Sequence, residues 1–193
     1  MKNLQSLHQF VEDTFLYDLT AYQDDRGYFI ETYKKSWKQD IEDTMNLKIS
    51  EFVFEACSFN KHKDIIRGMH AQNSASPQAK LITVMSGKIL DVFIDARIGS
   101  STFGNSHSVE ISASQPKLLY LPEGVYHGFL TLEPDTTVFY KINQYYDPKS
   151  EVGLLWNNPN LNMQWPKQLN PVLSDKDKNH PTWKECYKFE GLK

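Results

Sequence analysis

The sequence of 193 residues has only two cysteines, Cys57 and Cys186, and they stand far apart. Such a pair supplies neither a disulfide framework nor a zinc site built on closely spaced thiolates, and both are expected to be reduced. No stretch of ~18 apolar residues occurs, and the opening MKNLQSLHQFVEDTF has no continuous apolar run before Glu12. A soluble, cytoplasmic protein with no membrane partner is therefore expected. With a net charge of −3 and mixed signs, the chain lacks the basic stripe that tracks a phosphate backbone. That disfavours a nucleic-acid partner and leaves room only for a small anionic ligand held locally. Internal repeats of fixed period and low-complexity segments are also missing, so disorder is expected only at the ends.

What is present suffices for one domain. Hydrophobic residues make up 40% of the chain and aromatic ones 13%, enough to bury a single good core across residues 1–193. The spacing of Trp37, Ile41 and Met45 predicts a helix over roughly residues 36–46, with Ser36 and Gln39 as a capping-box signature. From Phe52 to Ile142 the texture changes to short runs of Val, Ile, Leu, Phe and Tyr broken by Gly, Pro, Asn and Ser, which predicts strands. The runs Lys80–Met85 and Lys88–Ile94 flank Ser86-Gly87, a dipeptide suited to a tight turn, and are read as a hairpin. Within the second run Leu90, Val92 and Ile94 share one face, against Asp91, Phe93 and Asp95. Further strands are expected around 108–111, 118–121, 128–132 and 137–142. Many short strands at that spacing imply a sandwich or jelly roll. Beyond Tyr146 the chain is Asn- and Pro-rich, and Trp156 and Trp165 are expected to anchor it to the barrel, with a peripheral helix or loose tail at the end.

Two segments carry candidate chemistry. Arg67-Gly68-Met69-His70-Ala71-Gln72 presents a cation, a glycine and an imidazole within four residues. On a strand His70 and Gln72 point the same way, so both can face a barrel interior. Taken alone, His70 reads as an ordinary half-buried histidine. Leu121-Pro122-Glu123-Gly124-Val125-Tyr126-His127-Gly128-Phe129 places a second histidine just after a Pro/Gly turn. Together the two segments resemble the paired blocks of the cupin superfamily, the second matching its P-x-G-x-x-H pattern. Metal-binding cupins carry H-x-H in the first block, whereas His70-Ala71-Gln72 replaces one imidazole by an amide. Two histidines make a poor set for metals that want three or four ligands, so a pocket without metal or other cofactor is expected.

A closer resemblance rests on many blocks in one order: 24–31 (DDRGYFIE), 66–72 (IRGMHAQ), Asp95-Ala96-Arg97 with 101–104 (STFG), 122–129, Tyr140-Lys141 with 145–148 (YYDP), 156–159 (WNNP), Trp165-Pro166 and 173–177 (LSDKD). Over about residues 15–180 the chain resembles the dTDP-4-dehydrorhamnose 3,5-epimerases. The resemblance implies a mainly β, cupin-type jelly-roll barrel with a few short peripheral helices, residues 147–193 wrapping the barrel. It implies a homodimer whose partner subunit contributes to each site, and a nucleotide-sugar substrate. His70 then matches the family's base, Asp177 the carboxylate paired with it, and Tyr140 the residue that moves the proton on the opposite face. Lys80 and Arg67 match cations near the sugar ketone and diphosphate. His127 and Tyr146 match pocket residues, and Arg26, Phe29 and Glu31 match a nucleotide-binding edge given by the partner. Gln72 and Glu55 complete the expected binding set.

Physical logic agrees with those roles. Removing a hydrogen next to a ketone needs a base poised near neutral pH, for which a histidine oriented by a carboxylate is suited. Charge then moves to the ketone oxygen, where a cation such as Lys80 stabilises the enolate. Inversion requires protonation from the other face, and a phenol can serve. The chain departs from the family pattern at Glu55-Ala56-Cys57-Ser58-Phe59-Asn60, at Ala71 where an aromatic is usual, and in the polar loop Asn73–Gln78. Inversion at one carbon only, or a CDP- or GDP-linked substrate, stays open on these residues. A non-catalytic cupin that binds a sugar nucleotide is the reading from another class, and the loss of His70 or Tyr140 would favour it. A metal-dependent cupin is the third.

Overall fold

The computed structural model describes residues 4–7 and 10–192. In chain order the elements are β1 (Leu4–Ser6), β2 (Phe15–Asp18), β3 (Ala21–Asp24), β4 (Gly27–Ile30), α1 (Lys35–Met45), β5 (Phe54–Asn60), β6 (Ile66–Gln72) and β7 (Lys80–Ser86). They continue with β8 (Lys88–Asp95), β9 (Ser106–Ser112), β10 (Lys117–Leu121), β11 (Val125–Thr131), β12 (Thr136–Ile142), β13 (Glu151–Gly153) and α2 (Asp175–Lys178). Two sheets form the jelly roll: one of six strands ordered β1-β2-β10-β7-β12-β5, and one of five ordered β13-β6-β11-β8-β9. A separate two-stranded hairpin, β3–β4, stands apart from both.

Side chains alternate along a strand, so each sheet gives one face to the other. Between the sheets pack Ile82, Val84, Phe93, Leu119, Phe129 and Val138, all at most 1% exposed. Each such side chain contributes ~1.5–3 kcal/mol by leaving water. The outer face of the five-stranded sheet is not bare. Leu90, Val92 and Ile94 pack there with Trp165, Leu154 and Phe189 from the C-terminal segment. That segment is therefore a wrap rather than a loose tail: Phe189 is fully buried, and the indole N–H of Trp165 donates to the Trp156 carbonyl at 2.7 Å.

The two runs read as a hairpin are strands, but they do not pair with each other. β7 lies between β10 and β12 in one sheet, whereas β8 lies between β11 and β9 in the other. Gly87 is therefore a corner at which the chain changes sheets, as jelly rolls require. Its φ of 73° suits a glycine, and a Cβ there would meet Thr136 Oγ1 at 2.2 Å. Ser86-Gly87 turns the chain, but turn chemistry alone cannot say whether the chain folds back or crosses over. α1 occupies the predicted place, yet its N-cap is Lys34 with no side-chain cap; Gln39 donates instead to Asp43, one turn on.

The Asp95-Ala96-Arg97 block proves structural. Arg97 is buried and donates to both carboxylate oxygens of Asp95, at 3.0 and 2.9 Å, and to the Glu12 carbonyl at 2.7 Å. This bidentate pairing fixes the loop at one end of β8.

Candidate active site

Toward their β5 and β13 edges the two sheets line a cavity of about 690 Å³. Its walls come from both sheets, and the register explains which residues face it. On the six-stranded sheet Tyr140 pairs with Ile82 and Ala56, and Ile142 pairs with Lys80 and Phe54. Residues directly opposite share a face, so Tyr140, Lys80, Ala56 and Phe54 all turn inward. By the same parity Glu55, opposite Lys141, turns outward, where the two form an ion pair. The sequence expectation for Glu55 is thus not met within one chain: it does not line the cavity.

On the five-stranded sheet β6 supplies Arg67, His70 and Gln72 to the cavity. Simple alternation would separate Arg67 from His70. A register shift opposite β11 reconciles them, for His127 pairs with His70 while Phe129 pairs with Arg67. The shift is built on two glycines: a Cβ on Gly68, at φ 129°, would lie 2.5 Å from the Gly128 Cα. Strand β6 can approach β11 this closely only where both residues lack a side chain.

His70 Nε2 lies 2.7 Å from Asp177 Oδ1. With Nε2–H donating to the carboxylate, Nδ1 is left as the basic nitrogen. Asp177 sits in α2, where its own N–H is capped by Ser174 Oγ at 3.1 Å, and its Oδ2 accepts the Gly68 N–H at 3.4 Å. Burial works against its ionisation, but the imidazoles of His180 and His70 and that N–H outweigh it and hold the carboxyl well below its usual range.

Facing this pair, Tyr140 has a phenol held well above its usual value, chiefly by burial; the Ser58 hydroxyl at 3.4 Å and the Arg67 charge pull the other way. The shift favours its protonated form. Beside it burial pushes the Lys80 ammonium down to about 8, against the attraction of Asp91 and Glu151. His127 stands next to these on the opposite sheet, its ring 6.4 Å from that of Tyr140 and its Nε2 2.7 Å from Asp91 Oδ2.

The structure thus brings together His70, Asp177, Tyr140, Lys80, Arg67, Gln72, His127 and Tyr146 around one cavity. Gln72 is a structural clamp there, donating to the Ser76 carbonyl at 2.9 Å and accepting from the Asp147 N–H at 2.7 Å. Arg26, Phe29 and Glu31 stand elsewhere, on or just after the β3–β4 hairpin, where Phe29 is 66% exposed. Two residues went unread in the sequence. Asp91 is fully buried on β8 and supports both His127 and Lys80. Glu151 on β13 accepts from the Tyr146 hydroxyl and pairs with Lys176 at 2.6 Å. A signal existed for Asp91, a carboxylate on the same face of its strand as Phe93. None existed for Glu151. At the positions of a cupin metal set, Gln72 is occupied by backbone and His127 by Asp91, so those residues do not suit a metal.

A family model described as dTDP-4-dehydrorhamnose 3,5-epimerase matches residues 8–185 of the chain. A protein of that name from Shigella flexneri is 36% identical over 169 residues, covering 88% of this chain and 90% of its own. One from Neisseria gonorrhoeae is 39% identical over 169 residues; the match covers 87% of this chain but spans only 49% of that longer relative. Among solved structures, the Bacillus anthracis protein of the same name, with TDP and PPi bound, superposes with a TM-score of 0.82 at 36% identity, covering 93% of this chain and 99% of its own.

Proposed function

The chain belongs to the dTDP-4-dehydrorhamnose 3,5-epimerase family, and on that premise we propose that its cavity inverts C3 and C5 of a dTDP-linked 4-keto-6-deoxyhexose, giving dTDP-4-dehydro-L-rhamnose. One observation carries the reading. His70 on one sheet, paired with Asp177 of α2, and a protonated tyrosine on the other sheet line the same cavity, with a lysine on its wall.

In this mechanism His70 Nδ1 removes the hydrogen from the ring carbon beside the ketone, and Asp177 stabilises the imidazolium through Nε2–H. The electron pair moves into the enolate, whose oxygen meets the Lys80 ammonium. Tyr140 returns a proton to the opposite face of the same carbon. The phenolate so formed takes the proton back from the base through solvent or product exchange, and the carbon leaves inverted. Repetition at the second carbon needs only that the ring re-seat. Arg67, donating through Nε to Asn60 at 2.7 Å, is fixed at the cavity wall and suits a diphosphate.

The site is proposed to be completed by a second copy of the chain. Tyr22 and Phe29, opposite each other on one face of the β3–β4 hairpin, are 57% and 66% exposed, with Arg26 in the turn. Such a surface suits a symmetric partner that places Arg26, Phe29 and Glu31 beside the neighbour's nucleotide. A cytoplasmic location fits a soluble nucleotide-sugar substrate, and no helix among the described residues is long and apolar enough to cross a membrane.

The test is incubation with dTDP-, CDP- and GDP-linked 4-keto-6-deoxyhexoses in deuterated water, followed by NMR. The reading expects deuterium at C3 and C5 and a higher kcat/KM for the dTDP sugar. Exchange at one carbon alone reduces the chain to a single-centre epimerase. No exchange with any sugar sinks the proposal.

A further inference from the structure

We propose that His70, Asp177 and His180 form a binding site for a divalent transition-metal ion of the zinc class, and that its occupancy shuts off the base. The donor atoms of these three residues lie within 4.8 Å of one another, the only such group of three among the described residues. His180 is not needed by the mechanism, and its side chain is 8% exposed. Its Nε2 has no hydrogen-bond partner. That nitrogen sits 3.3 Å from Asp177 Oδ1, close enough for attraction but off the line of a hydrogen bond. A buried imidazole nitrogen without a partner is uncommon, because leaving it unmade carries the full desolvation penalty.

Two imidazoles and one carboxylate are the donor set of open zinc sites, which keep a further position for water. Here that position faces the cavity, which both His70 and Asp177 line. The His70 side chain is 32% exposed, so an ion can enter from the substrate side. The tetrahedral edge for metal–ligand bonds of ~2.0–2.1 Å is roughly 3.4 Å, so the 2.7 Å contact of His70 with Asp177 must open to admit the ion, while the 3.3 Å separation of His180 from Asp177 already matches. The second carboxylate oxygen is held by the Gly68 N–H, an outer contact of the kind that orients metal ligands. The backbone also makes room for the added histidine. Gly153 pairs with His70 across β13 and β6, and a Cβ on it would fall 2.0 Å from His180 Nδ1.

Occupancy has a chemical consequence that depends on the base assignment proposed above. A metal on His70 Nε2 displaces the proton that Nε2 donates to Asp177, and the neutral ring then carries its proton on Nδ1. The lone pair that enolisation requires is gone. The ion would act as an inhibitor and not as a cofactor.

Metal-free full-length protein titrated with Co²⁺ reads the site directly, through the visible ligand-field bands of a low-coordinate ion. Expected are saturable binding of one ion per chain, displacement by Zn²⁺, and at least ~10-fold weaker binding in His180→Ala. Gly153→Ala, which pushes the ring aside and leaves its identity intact, should weaken binding likewise; circular dichroism of both variants checks folding. In deuterated water Zn²⁺ should slow exchange of the sugar hydrogens in the wild type, with a chelator restoring it. Each variant, compared with its own metal-free rate, should need ~10-fold more Zn²⁺. Absence of saturable Co²⁺ binding, or equal binding in folded variants, overturns the site. So does a changed pH profile in His180→Ala with Co²⁺ binding intact, which would make His180 only a second neighbour of Asp177. The Co²⁺ arm uses no sugar, so it stands or falls apart from the epimerase reading.

Discussion

His127 holds one oxygen of Asp91 at 2.7 Å, and the other oxygen of that buried carboxylate has no hydrogen-bond partner among the described residues. Burial pushes that carboxyl above its usual range while His127 and Lys80 pull it back, and it in turn attracts Lys80, whose ammonium burial has brought down to about 8. In the proposed mechanism Lys80 must be protonated to stabilise the enolate, so kcat is expected to fall as pH rises through about 8. Asp91→Asn removes an attraction that favours the ammonium, and should move that alkaline limb to lower pH. Lys80→Met should lower kcat by ~100-fold or more, as for loss of an oxyanion donor. A pH–rate profile of the three proteins is the measurement, and an unmoved limb in Asp91→Asn argues against the coupling.

His70 and Tyr140 should fail differently. His70→Ala is expected to abolish both solvent exchange and inversion, a loss of at least ~100-fold. Tyr140→Phe still allows His70 to form the enolate and return a deuteron to the face it came from, so exchange persists while inversion falls sharply. NMR in deuterated water separates the two. Wild-type inversion by Tyr140→Phe would require another acid.

Asp177→Asn should lower kcat by ~100-fold or more, because an amide orients the imidazole but cannot stabilise its charged form. The same change alters stability. A carboxyl whose folded pKa is depressed contributes stability above its unfolded value of ~3.9 that is lost as pH falls through the folded one. The wild type should therefore lose stability more steeply than Asp177→Asn below pH ~4 in denaturant titrations.

Complementation checks the partner's contribution. Arg26→Ala and His70→Ala homodimers are each expected to be nearly inactive. Mixed and allowed to exchange subunits, they form heterodimers with one intact site, recovering up to roughly a quarter of wild-type activity for random pairing in a two-fold dimer. No recovery despite demonstrated exchange means that Arg26 serves its own chain.

Gly68→Ala tests the close approach of β6 to β11. A methyl there meets the Gly128 backbone at 2.5 Å at a φ that disfavours any side chain. Destabilisation of ~2 kcal/mol or more is expected, with loss of activity in whatever folds, since Arg67 and His70 would no longer share a wall.

Much of this was legible in the sequence, but unevenly. Strand positions followed from local alternation, and the His70 and His127 blocks from residue type and spacing. Sheet membership did not follow, because Ser86-Gly87 suits a hairpin and a sheet-changing corner equally well. Glu55 was assigned by its place in a block, whereas the parity of β5 against β12 turns it outward. Asp177 came only through resemblance: it joins His70 from 107 positions away, a distance that no local pattern bridges. His180, three residues on, stood out in neither way, since its meaning depends on a glycine in another strand.

His70 and Tyr140, the proposed base and acid, belong to different sheets, so the gap between them is set by how far the sheets stand apart along that edge. Each residue is fixed within its own ladder of backbone hydrogen bonds, but nothing in either ladder sets the other's position. A substitution in the shared core, such as at Val138 or Phe93, that spreads or tightens the layers would change which ring carbon sits within reach of both groups. The choice between one inverted centre and two would then be a property of the spacing between layers, open to engineering without touching any residue that meets the sugar.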